Sequence, residues 1–168
     1  MIDATTPHEP RLNRELRKLL NTQRVAALGT LNAQGKPFVS MVPFAIHAHA
    51  ACLVIHVSLL APHTRHLLDA PEVSMMVMQS EPLGEPVHAL ARVSLDGLAT
   101  RLLPDSPDWQ AARSAYLARF PEAAPMTTLG DFSFVSIQPT GARHVAGFGA
   151  ARPLDGDEIA AVLRPLTT

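Results

Sequence analysis

The sequence is short of charge, of cysteine and of long apolar runs, and each shortage closes off a class of protein. Only 17 % of the residues are charged, and the two signs nearly cancel to a net −1. With no general positive field, nucleic acid and anionic membrane are not expected as partners, although a local basic pocket stays open. The single cysteine, Cys52, has no internal disulfide partner, so the fold does not draw on an oxidising compartment. It lies inside an apolar run, where its thiol is expected to be inert. No stretch approaches the roughly 18 apolar residues of a membrane helix, and the opening MIDATTPHEPRLNRELRK holds no apolar signal segment. The expectation is a soluble, cytoplasmic protein. A nucleophile elbow, a carboxylate pair, an internal repeat and a low-complexity tract are all missing as well. Such poverty in acid, base and nucleophile suits a chain whose chemistry comes from a bound cofactor.

What is present is 168 residues, 47 % of them hydrophobic, enough for one real core and too few for two. A single domain over residues 1–168 is expected, and the thin supply of charge hints at a self-association surface. Leu12, Leu16, Leu19 and Leu20 recur at helical spacing, predicting an N-terminal amphipathic helix within residues 1–21 that stops at Asn21. Three short strands follow, separated by Asn32–Gly35 and His47–Ala51. In the second, Phe38, Ser40, Val42, Phe44 and Ile46 share one face, and Val39, Met41, Pro43 and Ala45 the other. Pro43 cannot donate to a ladder, so an edge, a bulge or something other than a strand is expected beside it.

EVSMMVMQ reads as a further strand, with Met75, Met76 and Met78 as core, and VHALARVSLDGLATRL as a half-buried strand from Val87. Ser106 and Pro107 open a helix whose packing face is Trp109, Ala112, Tyr116, Leu117 and Phe120. DFSFVSIQPTGARHVAGFGAAR predicts two strands with a turn at Pro139–Gly141. Asp155 and Glu158 are spaced as a capping box for a short C-terminal helix or tail over 155–168. Many short strands without βαβ alternation predict a mainly β protein, a small closed barrel of six or seven antiparallel strands flanked by helices.

The densest group of donors is in LVIHVSLLAPHTRHLLDAPEV, residues 53–73. Pro62 suits the first position of a helix, where the N–H groups of His63, Thr64 and Arg65 lack intrahelical acceptors and favour an anion. Ser58 and the Thr64 hydroxyl add donors, and Arg65 can fork onto two oxygens, a set that a phosphate would use in full. The same residues allow a plain capped helix, with Arg65 paired to Asp69. Elsewhere, His47 and His49 have H-x-H spacing in a hairpin loop with no third ligand nearby. Gly147 and Gly149 read as close backbone approach, not a dinucleotide fingerprint. Arg92 and Arg143 lie on polar strand faces.

QRVAALGTLNAQGKPFVSMVPF, SLLAPHTRHLLDAPEVSMMV, ARVSLDGLA, ARSAYLARFPEA and GDFSFVSIQPTGARHVAGFGAA resemble, in order and spacing, the FMN-binding split-barrel family related to pyridoxamine 5′-phosphate oxidase. The similarity spans about residues 12 to 152 and is nearest to the haem-utilisation, HugZ-type branch. It implies a split-barrel homodimer with FMN at the subunit interface. Ser58, His63, Thr64 and Arg65 would hold the flavin phosphate, and Met41, Val42 and Pro43 would lie along the ring. It implies an FMN-dependent oxidoreductase acting on a small-molecule substrate. Haem binding or degradation is the alternative, with His63, His66 or His144 as iron ligand, and a cofactor-free, protein-binding regulatory module is a third. Two positions depart from the pattern: His66 replaces the usual Asn after the Arg, and Ser40 replaces a basic residue on the second strand.

Overall fold

The computed structural model describes residues 9–166. Helix α1 (Arg11–Thr22) leads into strands β1 (Val25–Leu31), β2 (Pro37–His47) and β3 (Cys52–Ser58). Helix α2 (Pro62–Asp69), strands β4 (Glu72–Met78) and β5 (Arg92–Arg101) and helix α3 (Pro107–Arg119) follow. Strands β6 (Phe132–Val145) and β7 (Ala151–Asp155) and helix α4 (Gly156–Leu163) complete the chain. All pairings are antiparallel in the order β3-β2-β1-β4-β5-β6-β7, and β3 pairs again with β6. Six strands therefore close into the expected split barrel, and β7 is an addition on the free end of β6.

Local chemistry accounts for the turns. The Asn32 carboxamide accepts from the N–H groups of Gln34 and Lys36, both at 2.9 Å, and Gly35 takes the left-handed φ of 71° that closes the β1–β2 hairpin. Ser106 caps α3 by accepting from Trp109 N–H at 3.2 Å, and Asp155 and Glu158 form the anticipated capping box on α4. The barrel interior is filled by side chains such as Leu28, Phe44, Ile55, Met75 and Ile137, with Leu16 and Leu20 of α1 and Ile159 of α4 sealing one end. A smaller cluster, Val54, Ala112, Tyr116, Phe120 and Phe134 among it, fixes α3 to the outside of β2, β3 and β6. No helix among the described residues is long and apolar enough to cross a membrane.

Four sequence expectations change. Residues 139–141 are not a turn: Gly97 faces Pro139 and Asp96 faces Gly141, so Thr140 is the extra residue of a bulge in one continuous 14-residue strand. The strand expected from Val87 starts at Arg92, because β4 ends opposite Arg92 and offers no partner further back; Val87–Ala89 coil into a short 3₁₀ turn after Pro86. Of the three methionines on β4 only Met75 is core, since the strand alternates strictly and Met76 and Met78 face outward. Asn21 does not stop α1, which runs to Thr22; its last carbonyls, those of Leu20 and Asn21, accept from Arg119 at 3.1 and 3.2 Å. The part of the predicted N-terminal helix before residue 9 lies outside the described residues.

Gly97 stands where the bulge draws β5 and β6 together: a Cβ there would sit 2.8 Å from Ile137 Cγ2 and 2.9 Å from the Gln138 carbonyl oxygen. Gly97→Ala is expected to cost about 1–3 kcal/mol of unfolding free energy in a urea titration. Gly130→Ala, where nothing lies within 4 Å, should leave the midpoint nearly unchanged.

Candidate functional site

The end of β3 and the start of α2 form a compact corner. Ala61 precedes the helix with extended backbone, Pro62 occupies its first turn, and no side chain caps it. The Thr64 hydroxyl, only 1 % exposed, donates to the Ser58 carbonyl at 2.7 Å, locking the helix to the strand. Thr64 N–H is also spent, on the Ala61 carbonyl at 3.1 Å. Ser58 Oγ accepts from Leu60 N–H at 3.2 Å. Of the four residues expected to grip an anion, Thr64 thus holds the corner together, whereas Arg65 is exposed and has no ion pair or hydrogen bond among the described residues. The alternative pairing of Arg65 with Asp69 is not formed. His63 is half-buried and held neutral: burial, then the neighbouring His66, lowers its pKa.

His66, the departure from the family pattern, is built into this corner. Its Nδ1 lies 3.1 Å from the Thr30 hydroxyl, and its ring meets Phe38 edge-on at 5.3 Å. The ring's Nε2 has no partner among the described residues.

Strand β2 supplies an open edge beside the corner. Phe44 N–H donates to the Arg24 carbonyl at 3.2 Å, so Val42 and Ser40, of the same parity, also turn their amides toward β1. Val39, Met41 and Pro43 turn theirs the other way, toward β3. That strand accompanies β2 only from Phe44 to His47 before leaving with β6. Met41 consequently presents unpaired backbone, and Pro43 spares the edge one unpaired N–H. Val42 does neither, since its backbone belongs to the β1 ladder and its side chain to the core.

Two concave regions lie nearby. A mainly apolar cleft of about 420 Å³ runs along the outside of β1, β2, β4 and β5, with Leu31, Phe38, Val39 and Leu98 in its walls and Thr30 connecting it to His66. A larger one, about 660 Å³, opens between α3, β3 and the start of β6, and contains none of the predicted site residues. Its His56, Arg101 and Arg113 went unrecognised because arginines at these spacings look like ordinary surface charges. His56 alone carried a signal, as a lone imidazole inside the apolar run LVIHVS. Burial pushes His56 down to about 4 and Cys52 up to about 11, so the imidazole is neutral and the thiol inert at neutral pH.

Three other candidates are enclosed or engaged elsewhere. His144 is 1 % exposed in the barrel interior, with both ring nitrogens unpartnered, and cannot meet an external ligand. His47 Nδ1 accepts from Ala50 N–H at 3.3 Å, and no metal-binding group of three side chains exists among the described residues. Arg92 donates to the nearby Leu90 carbonyl at 3.1 Å.

A six-stranded split barrel with an open β2 edge next to a helix-borne arginine defines the class, and comparison with known proteins gives the family. The sequence pattern of pyridoxamine 5′-phosphate oxidase matches residues 12–146, and the chain belongs to that family. Among curated relatives, the haem oxygenase HutZ of Vibrio cholerae is 31 % identical over 150 residues, covering 89 % of this chain and 84 % of that protein. The chloroplastic haem oxygenase HOZ of Arabidopsis thaliana is 37 % identical over 139 residues, 82 % of this chain but only 41 % of its relative. Among solved structures, a haem-binding protein from Mycobacterium smegmatis superposes with a TM-score of 0.81 at 30 % identity, over 92 % of this chain and 62 % of that one. HutZ itself, described there as a haem storage protein, gives 0.71 at 29 % identity, over 77 % and 91 %.

His56, His63 and His144 all have folded pKa values below the usual 6.5, so below that pH the unfolded chain takes up protons that the folded chain refuses. Stability is expected to be greatest at about pH 7–8, to fall progressively toward about pH 4 as these histidines take up protons in the unfolded chain, and to fall again above about pH 9, where the unfolded chain loses the proton that buried Cys52 keeps, read as the urea midpoint. His56→Phe should blunt the fall on the acid side.

Proposed function

We propose that this chain is a haem-binding protein, acting on haem as its HutZ and HOZ relatives are named for doing. The observation that carries the reading is the placement of His66. Its Nδ1 is held by Thr30, which also lines the apolar cleft, its Nε2 has no partner among the described residues, and Arg65, the preceding residue of α2, carries a guanidinium with no ion pair among the described residues. Iron-binding imidazoles need their second nitrogen fixed by a hydrogen bond. A porphyrin asks for flat apolar walls and for a cation to meet its carboxylates; Phe38 and Leu31 line the cleft, and Arg65 of α2 is the cation we assign to the carboxylates. Bound haem would contribute an iron that activates oxygen. The chain's own residues orient the ligand, neutralise its acid groups and exclude water.

Flavin is the second reading, favoured by one feature: Met41 offers unpaired backbone at the β2 edge, close to a helix start bearing Arg65. It was the leading expectation from sequence, with an FMN-dependent oxidoreductase as the outcome. The haem oxygenases at 31 % and 37 % identity now weigh more than the family-level association with flavin. No feature of the site favours a cofactor-free regulatory module. We also read the chain as one domain that forms a homodimer. Met41 and Met76 flank Ala27 on the outer barrel face, next to Val39, Val25 and Met78, and this exposed apolar field suits a second copy of the same chain.

Titration of the purified protein with haemin should produce a saturable Soret band, and His66→Ala should abolish or shift it. Arg65→Ala should weaken haemin binding about tenfold, as expected for one charge-assisted contact of about 1.5–3 kcal/mol screened by solvent. A protein that ignores haemin yet retains FMN with its flavin spectrum would reverse the ranking. In the same preparation, Met41→Glu combined with Met76→Glu should halve the mass seen by light scattering.

A further inference from the structure

We propose that the larger cleft, between α3 and the β3–β6 edge, is a second binding site, selective for a small planar organic anion, of which an aromatic carboxylate is the simplest case. Two arginines and a histidine supply donors among its polar groups, beside Asp105, Gln110 and three hydroxyl residues. Arg101 Nε donates to Ser133 Oγ and Arg113 Nε to Thr127 Oγ1, both at 3.0 Å. Both hydroxyls are buried, and Thr127 is itself held by the Ala124 carbonyl at 2.8 Å. Each guanidinium is thus anchored through Nε, which leaves its paired Nη groups for a ligand. Neither forms a salt bridge among the described residues, and the one carboxylate in the lining, Asp105, is not paired with them.

The third polar group is His56. Its Nδ1 is sealed in the interior without a partner. Placing the ring proton on Nε2 avoids burying an unpaired N–H, so the neutral ring turns a third donor toward the cleft. Two fixed cations, one carboxylate and a neutral imidazole leave the lining with a net positive charge at neutral pH.

The walls set the shape of the occupant. His56 stacks on Phe132 at 5.0 Å and 25°, and Trp109 meets Phe134 edge-on at 5.5 Å. About 660 Å³ is the size of an organic-ligand pocket and far more than an inorganic ion fills. A flat body between aromatic faces, with its acid group on the arginine forks, uses every feature described. The proposal does not depend on the haem reading, because none of these residues belongs to the α2 corner or the β2 edge.

Trp109 is the only tryptophan of the chain, so its fluorescence and its single indole N–H resonance report on this cleft alone. Benzoate, its neutral isostere benzamide and inorganic phosphate should be titrated into the full chain. Saturable change with benzoate, at least about tenfold tighter than with benzamide, is expected, as for one ionic contact of about 1.4 kcal/mol. Arg101→Met and Arg113→Met should each weaken benzoate about tenfold while far-UV circular dichroism stays unchanged, and Arg113→Lys should restore only part. Equal response to benzamide, phosphate binding as tightly as benzoate, or no saturable change with any of the three would each overturn the proposal on the unmodified protein, whatever the variants do. Retention of benzoate binding by a folded Arg101→Met/Arg113→Met double variant would do the same.

Discussion

From Leu53 opposite Ile137 to Ser58 opposite Phe132, β3 is bound edge to edge with β6, and this pairing closes the barrel. It also forces a separation. β3 accompanies β2 only between Cys52 and Ile55, and beyond that point the two strands part. The first half of β2 is left with an edge that nothing among the described residues covers, and the end of β3 is aimed away from it. Helix α2 fills the angle between them, tied to β3 by the Thr64–Ser58 hydrogen bond and to β1 and β2 through His66, Thr30 and Phe38. The candidate haem site is in this sense a by-product of barrel closure, and a change that weakened the β3–β6 ladder would disperse it.

Barrel closure also explains the second cleft. Bringing β6 against β3 stacks Phe132 and Phe134 on His56, and α3 then packs over them through Tyr116 and Trp109. The aromatic wall neutralises His56 by removing water from it, and the same burial leaves the two arginines as the cations of that region. One closure thus produces two environments: an apolar one beside α2, with a hydrogen-bonded imidazole, and a cationic one beneath α3.

Polarity in the interior is kept to few positions. His144 is one of them, a buried ring without partners whose pKa is lowered by burial and then by Arg152. Unpaired groups of this kind cost stability, and nothing in the structure shows what His144 gains in return.

Local signals in the sequence were sufficient wherever local physics decides. The Pro62 helix start, the Ser106 and Asp155 caps, the Asn32–Gly35 hairpin and the alternating faces of β2 were legible because each depends on residues within one turn or one strand. The ordered motifs carried the family and the split barrel. What the sequence could not carry is which edges meet. Bulge or turn at Pro139–Gly141 depends on whether β5 runs alongside, the inward or outward fate of Met76 and Met78 on the register of β4, and the removal of His144 from the surface on its pairing opposite core residue Val93. Arg101 and Arg113 are the clearest case: 12 residues apart in the chain, they share a cleft only because α3 folds back over the β6 edge. Spacing along a chain encodes periodicity and caps, whereas convergence of distant side chains is set by strand pairing. The sequence by itself therefore determined the family, most of the elements and the Pro62 start of α2, and tertiary structure alone decided which edges close, which donors stayed free and which aromatic walls they face.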